Sequence, residues 1–436
     1  MPPAPLASSF PLLAPASCLV TPPSFRSGAD QPAFRGAETP EGYPHLRSFL
    51  EQVPDPRSRQ GRRYPLPLLL VLVLTALCTG CQGYLSAARW ARGLRAEDQQ
   101  ALGFAPRRTP CASTLLNLFR VLDWDELARQ LHRWVEATGL PLPEPPLQEP
   151  GVPGEAPEPV WLGLALDGKT LRGSLAAGAS VAHLVGLVAH GLGIHLTEVG
   201  VEAKQGELTV APEVLAPVLA PGRVITGDAL FTQRTLCEQI LAGDSEYVLP
   251  VKGNQPTLLQ AVQAVLAALP KAEREAQQRR STWTVEQGHG RIENRFLLLA
   301  TVSPGQVEWP GVAQVFALER RQHHPARGGR PASHHRELVY GITSLQRKEA
   351  GPETVLRLQR GHWSVENQVH WVLDTFFRED ERRIRDGKVA RGMAALRRGA
   401  LNLLRRFGAR SIPEAADGVK ANPLRILSTI GVLAEN

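Results

Sequence analysis

Two aspartates stand where short apolar segments give way to polar ones. Asp167 follows WLGLAL, and Asp228 lies just after RVIT. Apolar runs of this kind predict buried strands, and carboxylates at the ends of neighbouring strands meet at one edge of a sheet. Because an Asp beside Gly is also common in ordinary turns, neither residue alone indicates a site.

A third acid, Glu366, lies in the segment RGHWSVENQVHWVLDTFF. Apolar residues recur there at spacings of four, three and four, which predicts the buried stripe of an amphipathic helix: Val365, Val369, Val372 and Phe376. Glu366 borders that stripe, and His370 follows one turn later. A glutamate in this place is either a solvated flank residue or part of a site. Further aromatic and polar residues on that side favour a site: Trp363, Asn367 and Asp374.

Three carboxylates that converge suit one task especially well. They can hold two Mg²⁺ ions about 3.5–4 Å apart, where one ion activates a water or a 3′-hydroxyl and the other stabilises the leaving oxygen of a phosphodiester. Oxygen ligands are those that Mg²⁺ prefers. We therefore expect Asp167, Asp228 and Glu366 to bind Mg²⁺, with Mn²⁺ as a possible substitute.

The elements that would position these acids alternate between strands and helices. Apolar runs that end in turns predict strands of one sheet: VWLGLAL, HLVGLVAHGLGIHLTEVGVEA, RVIT and YVLPV. Helix-like segments over 212–219 and 256–269 complete a mixed α/β domain. Alternating residues predict a β-rich insertion at about 275–345, and the chain becomes helical again from Glu353 to about Phe407.

Proline content and hydrophobic spacing divide the chain into parts. The first 44 residues carry ten prolines, and 141–159 carry eight in 19 residues, which is typical of an extended linker. The predicted organisation is a disordered Pro-rich tail over 1–42, an all-helical N-terminal domain over 43–139, a linker over 140–159, a catalytic domain over 160–410 that contains the insertion, and a C-terminal tail over 411–436.

Overall composition narrows the class of protein. Lys and Arg number 49 against 42 Asp and Glu, and the net charge of +7 favours a polyanionic partner such as nucleic acid. Five cysteines in 436 residues do not form a disulfide framework, which predicts a reducing compartment such as the cytoplasm. The strongest apolar run, Pro65 to Cys78, is shorter than the roughly 18–20 residues that cross a bilayer, so we expect a buried core helix and no membrane association.

Six sequence blocks then occur in a specific order: LDGKTLRGS, HLVGLVA, GDALFTQ, YVLPVKGNQPTL, GHGRIENR and RGHWSVENQVHWVLDTFFRED. In these blocks the chain resembles the DDE transposases of the H-repeat-associated insertion-sequence group, from about Leu46 to Phe407. The resemblance implies a ribonuclease H-like core, interrupted by a β-strand insertion before its last acidic helix and preceded by a helical domain. It also implies that Asp167, Asp228 and Glu366 are the acidic triad.

The same resemblance implies a function. Such an enzyme cleaves the ends of an insertion element and uses the exposed 3′-hydroxyls to attack target DNA. Its partners would be double-stranded DNA, namely the terminal inverted repeats and the target, and a second copy of the chain on paired ends. It would act in a bacterial cytoplasm, in association with the nucleoid. A metal-dependent nuclease without strand joining and a catalytically silent DNA-binding derivative stay open as alternatives.

Basic residues concentrate after the Glu366 segment. Residues 378–410 contain eleven basic and four acidic residues, a surplus equal to the net charge of the chain. Arg391, Arg398 and Arg405 recur every seven residues and would share a helix face opposite Leu396 and Leu403. A solvated face is the usual explanation, but the position directly after Glu366 favours a face that borders DNA. In that case each neutralised phosphate steepens the slope of log binding constant against log salt concentration by about 0.9.

Other polar residues in the six blocks are candidate DNA contacts. Lys169 and Arg172 follow the first acid, and ordinary turn residues are an equally good interpretation of them. The remaining candidates lie in the VKGNQ and GHGRIENR blocks: Lys252, Asn254, Gln255, His289, Arg291 and Arg295. In a broader set of DDE transposases, Tyr, Arg and Lys stand seven before, four before and seven after the glutamate. Here Gln359, His362 and Leu373 occupy those places, so those roles are not carried over.

Overall fold

A computed structural model describes the chain from residue 45 to 430. It leaves out 140–158 and short stretches at 177, 179–182, 203–205, 280–283, 289–290, 326–331, 408, 410, 424–425 and 428–429. The predicted Pro-rich tail, nearly all of the predicted linker and the end of the predicted C-terminal tail lie outside the described residues.

Six α-helices precede the sheet in the described part of the chain: α1 (Leu46–Leu50), α2 (Leu66–Cys78), α3 (Tyr84–Gly93), α4 (Ala96–Ala101), α5 (Ala112–Val121) and α6 (Trp124–Ala137). Their boundaries follow from local chemistry. The Asp123 carboxylate accepts a hydrogen bond from the Glu126 amide at 3.0 Å and so caps the start of α6. Leu127 and Trp134 on α6 are buried, as the hydrophobic spacing predicts.

Nine described strands form one mixed sheet: β1 (Leu162–Thr170), β2 (His183–Ala189), β3 (Ile194–Val201), β4 (Arg223–Gly227), β5 (Glu246–Val251), β6 (Thr284–Gly288), β7 (Arg291–Thr301), β8 (Gln314–His324) and β9 (Ser333–Thr343). Their order is β3-β2-β1-β4-β5-β9-β8-β7-β6. The β1–β4 and β4–β5 pairs are parallel, and the others are antiparallel. The mixed α/β class is therefore confirmed, and β6–β9 of the predicted insertion extend the same sheet.

Helices lie between the strands and after them: α7 (Arg172–Ala176), α8 (Glu207–Leu215), α9 (Arg234–Ala242), α10 (Pro256–Ala267), α11 (Lys271–Arg279), α12 (Pro352–Val365), α13 (Trp371–Thr375), α14 (Gly387–Arg405) and α15 (Ile412–Ala421). A π-helical turn over Glu366–His370 joins α12 to α13. The helix predicted over 212–219 begins earlier, at Glu207. The helical region predicted from 353 to 407 is interrupted between Thr375 and Gly387.

The apolar core is continuous from the N-terminal helices to the sheet. Helix α14 packs against α2, α6 and β3, and its Leu396 and Leu403 are fully buried. The stretch Arg59–Cys78 is long and apolar enough to cross a membrane by length and composition, but 61% of its apolar part is buried inside the fold. Within it, α2 forms part of this core, as the prediction of a core helix required.

Two glycines of α14 provide a test of this packing. A Cβ at Gly392 would lie 2.0 Å from the rigid indole of Trp124, whereas a Cβ at Gly399 would meet only leucine methyl groups of Leu74 and Leu131, at 3.3 Å. We expect Gly392→Ala to lower the free energy of unfolding by about 1–3 kcal/mol through overpacking. Gly399→Ala should be near neutral, because the helix preference of alanine over glycine, about 1 kcal/mol, offsets the mild crowding against the leucine methyl groups. Urea unfolding of both variants checks this, and equal losses would contradict the packing.

Candidate active site

Asp167 and Asp228 stand at the same level of two neighbouring parallel strands, Asp167 within β1 and Asp228 directly after β4. Leu166 of β1 pairs with Gly227 of β4, so the residues that follow them, Asp167 and Asp228, stand at the same level. Adjacent strands are about 4.8 Å apart, which brings the two aspartates within reach of one another. Strand β4 ends at Gly227 as expected, but the prediction that Asp167 follows its strand is wrong: β1 continues to Thr170, because it still pairs with β2 there.

Glu366 approaches the pair through His370. The imidazole Nδ1 of His370 lies 3.1 Å from a carboxylate oxygen of Glu366 and 3.6 Å from one of Asp167. Both helical residues belong to the π-turn, a rare irregularity that is frequent at functional sites. The predicted helix thus brings its acid to the edge of β1, with one histidine in contact with two of the three acids.

The electrostatics of Asp167 reflect its burial first and the neighbouring acids second. Burial raises the pKa of Asp167. The charge of His370 and the hydrogen bond from the Gly168 amide oppose that shift, whereas the charges of Asp228 and Glu207 raise the pKa further. The Glu366 side chain is 72% exposed and that of Asp167 is 34% exposed. Negative charge therefore accumulates at a surface that is partly shielded from water.

The donor set fits a hard divalent cation. Carboxylate oxygens are the preferred ligands of Mg²⁺, and a bound cation would offset both the burial and the neighbouring negative charges that raise the pKa of Asp167. Among the described residues, no three His, Cys, Asp or Glu side chains are arranged as a complete metal site. The residues fit such an ion in chemical type, with Asp167 and Asp228 as the pair that the sheet itself places together.

Glu207 is a fourth acid at this edge, and the sequence interpretation did not include it. Its carboxylate packs against Gly168, where an added Cβ would lie 2.4 Å from Oε1. It also hydrogen-bonds the His183 ring, whose other nitrogen lies 2.8 Å from the Thr170 hydroxyl. An acid at the first position of a helix has an ordinary explanation, so no sequence signal marked Glu207.

The arginine repeat of α14 faces the protein. A Cβ at Gly200 or at Gly193 of the β3 region would collide with the guanidinium group of Arg391 or of Arg405. Arg398, between them, is 4% exposed, and its Nε lies 2.7 Å from Glu198 of β3. The seven-residue repeat does form one face, but the prediction that this face borders DNA is wrong for Arg398, because the face packs on β3.

Buried acids compensate the arginines of α14. Arg397 and Arg398 both pair with Glu379, at 3.3 and 3.2 Å, and Glu379 is 1% exposed in its side chain. These neighbouring guanidinium groups hold the pKa of Glu379 below its usual range, although burial acts against them. The proposed contact of Arg398 with DNA is therefore corrected: no surface is left on it for a phosphate. Arg391 pairs with Asp125, and the Arg405 guanidinium donates to the Gln368 carbonyl at 2.5 Å.

The candidates near the first acid differ in exposure. Arg172 is 82% exposed. Lys169 is 13% exposed, and its amino group lies 2.5 Å from Asp374 and 3.8 Å from Asp380. Of this pair, Arg172 is the one that faces solvent.

The VKGNQ residues surround the loop after Asp228. The side-chain amide of Asn254 donates to the Ala229 carbonyl at 2.7 Å, and that of Gln255 donates to the Thr232 carbonyl at 3.0 Å. Lys252 is exposed. The two amides thus support the loop that carries the second acid.

The GHGRIENR residues lie at the β6–β7 turn and beyond it. His289 is outside the described residues, and Arg291 begins β7. Arg295 is 14% exposed and pairs with Glu293 at 2.8 Å.

Of the three positions that depart from the broader transposase pattern, two are buried and one, His362, is partly buried. Gln359 and Leu373 are in the interior, and the His362 ring lies 3.2 Å from the Thr226 hydroxyl inside the fold. These positions therefore serve packing in this chain.

Family comparison gives two matches that divide the chain near residue 130. The family described as Transposase DDE domain matches residues 130–403, and the one described as DDE_Tnp_1-associated matches residues 47–135. The first match covers more than half of the 436 residues and includes all three candidate acids.

Curated relatives match over part of their own length. "Putative transposase YncI" of Escherichia coli O157:H7 is 33% identical over 249 residues, which are 56% of this chain and 61% of the relative. "H repeat-associated putative transposase YhhI" of Escherichia coli K12 is 29% identical over 248 residues, which are 55% of this chain and 63% of the relative. The matched region spans less than two thirds of either relative.

A solved structure of a piggyBac transposase synaptic complex with hairpin DNA aligns with 89% of this chain and 81% of its own chain, at 11% identity. Its TM-score of 0.38 is too low to establish a common fold.

Replacement of Arg398 tests its structural role. Arg398→Met would leave Glu198 and Glu379 buried without this partner, and we expect the free energy of unfolding to fall by about 3–5 kcal/mol in urea. The control Arg172→Met, at an exposed arginine, should change it by less than about 0.5 kcal/mol. Unchanged stability of Arg398→Met together with weakened DNA binding would place this arginine at the DNA instead.

Proposed function

The chain belongs to the DDE transposases, in the group of the H-repeat-associated insertion sequences, and we propose that it cleaves the ends of an insertion sequence and joins the freed 3′-hydroxyls to target DNA. The observation that carries this proposal is the meeting of acids at one edge of the sheet. Asp167 and Asp228 are level on paired strands, and Glu366 is linked to Asp167 through His370.

In this proposal the three acids are the ligands of two Mg²⁺ ions, for which Mn²⁺ substitutes. Asp167 and Asp228 would hold both ions, and Glu366 would complete the second position. Bound ions supply the activation of water or a 3′-hydroxyl and the stabilisation of the leaving oxygen. His370, in contact with Asp167 and Glu366, would orient both carboxylates. The Asn254 and Gln255 amides would keep the Asp228 loop in place.

We also propose a ribonuclease H-like core and the domain boundaries given above. The strand order β3-β2-β1-β4-β5, with the two aspartates on its adjacent central strands, supports that core. The match of residues 47–135 to a transposase-associated family supports a separate role for the helical region over 43–139, which we assign to recognition of the terminal repeats.

The proposed partners are double-stranded DNA and a second copy of the chain on paired element ends. The net charge of +7 supports a polyanionic partner. Arg172 and Lys252 are exposed residues of the candidate DNA set that lie after β1 and β5, the strands on either side of β4. Both are therefore suitably placed to contact the phosphates beside the cleaved bond.

Neutralisation of one aspartate tests the proposed chemistry. Asp228→Asn should abolish Mg²⁺-dependent cleavage of the DNA that borders the gene, because the amide has neither the charge nor the two equivalent donor oxygens of the carboxylate. DNA binding in a mobility-shift assay should change by less than about twofold, well under the tenfold that corresponds to 1.4 kcal/mol.

Asp244→Asn is the matched control. Asp244 lies in an exposed turn with a positive φ of 55°, which asparagine also adopts, so this variant should cleave as the parent does. Normal cleavage by Asp228→Asn would refute the assignment of the site. Cleavage without any joined product in the parent chain would instead favour a nuclease.

A further inference from the structure

Lys169 forms an ion pair between the two elements that carry the acids. It lies two residues after Asp167 on β1, and its amino group is 2.5 Å from Asp374, which lies eight residues after Glu366. The Lys169 side chain is 13% exposed and that of Asp374 is 31% exposed, so the pair is partly shielded from water. A second carboxylate, that of Asp380, lies 3.8 Å from the same amino group.

This pair is in step with the contact between Asp167 and His370. Two residues along a strand advance by about 6.6 Å, and four residues along a helix advance by about 6 Å. Asp167 and Lys169 are two residues apart on the strand, and His370 and Asp374 are four residues apart on the helical segment. Asp167 contacts His370, and Lys169 contacts Asp374. The two elements therefore run side by side in the same direction. The Lys169 pair fixes how far one can slide along the other.

The chain beyond Asp374 is held on its other side as well. Glu379 is buried and pairs with Arg397 and Arg398 of α14. The chain after β1 also lies close to this turn after α13, since a Cβ at Gly173 would lie 2.4 Å from the Asp380 carbonyl oxygen. With this turn anchored to α14 and to the chain after β1, the ion pair at Lys169 ties α13 itself to β1.

We propose that Lys169 is a positioning residue that sets the separation of Asp167 and Glu366, and that it does not contact DNA. This inference rests on the proposed DNA-cleaving function of the site. A phosphate at Lys169 would have to displace Asp374 or add negative charge beside two carboxylates already in contact with the amino group. A small displacement of a reacting group can cost a hundredfold in rate, so loss of this pair would act on cleavage and not on binding.

The experiment compares Lys169→Met, Asp374→Asn and the double variant, with Lys348→Met as a matched control at an exposed lysine of a distant turn. At saturating DNA, each single variant should cleave at least tenfold more slowly and should need more Mg²⁺ for half-maximal rate. The double variant should be no slower than the slower single variant, because both changes remove one interaction. Lys169→Arg, which keeps the charge, should recover part of the rate.

DNA affinity distinguishes positioning from contact. The affinity of Lys169→Met and its log–log dependence on salt should equal those of Lys348→Met. A slope smaller by about 0.9 would mean that a phosphate contact was lost and would overturn the inference. Normal cleavage by both single variants would overturn it as well.

A measurement without DNA or metal separates this inference from the proposed function. Hydrogen exchange of the backbone amides of 366–376 should be faster in Lys169→Met than in Lys348→Met, because the helical segment has lost its link to β1. Unchanged exchange there would overturn the positioning role whatever the activity. A parent chain that does not cleave its own element ends would refute the proposed function alone, and the exchange result would still decide the role of Lys169.

Discussion

The parallel pairing of β1 with β4 is the constraint on which the rest of the site depends. It places Asp167 level with Asp228, so two negative charges must share one edge of the sheet. Burial is the main cause of the raised pKa of Asp167, and the charges of Asp228 and Glu207 add to it. A fold that gathers acids in this way has to hold them with rigid partners. His370 and the amides of Asn254 and Gln255 are positioned for that task.

Behind these acids lies a layer of buried ion pairs. Arg398 contacts Glu198 of β3 and Glu379 of the turn after α13, while Arg397 pairs with Glu379 and donates to the Gln82 carbonyl at 3.2 Å. Sheet, turn and N-terminal helices thus meet on one helix, α14. Buried charges of this kind add little net stability, but removal of one partner is costly because the other remains desolvated. The charges of Arg397 and Arg398 therefore belong to the architecture of the protein.

Local patterns predicted the elements well and their orientation poorly. The apolar run at 65–78 predicted a core helix, and the spacing around Glu366 predicted an amphipathic helix, because burial periodicity is a local property. The seven-residue arginine repeat also predicted a shared face. Its inward orientation depends on Glu198, about 200 residues away, which periodicity cannot reveal. The pair of Lys169 with Asp374 and the place of Glu207 are likewise long-range contacts without a sequence signal.

Iron-directed cleavage of the polypeptide tests the shared cation site most directly. Fe²⁺ in place of Mg²⁺, with ascorbate and peroxide, generates hydroxyl radicals that cut the backbone next to the bound metal. We expect cuts close to all three acids, Asp167, Asp228 and Glu366, and we expect excess Mg²⁺ to suppress them. Cuts confined to other places in the chain would show that the three acids do not hold a common metal centre.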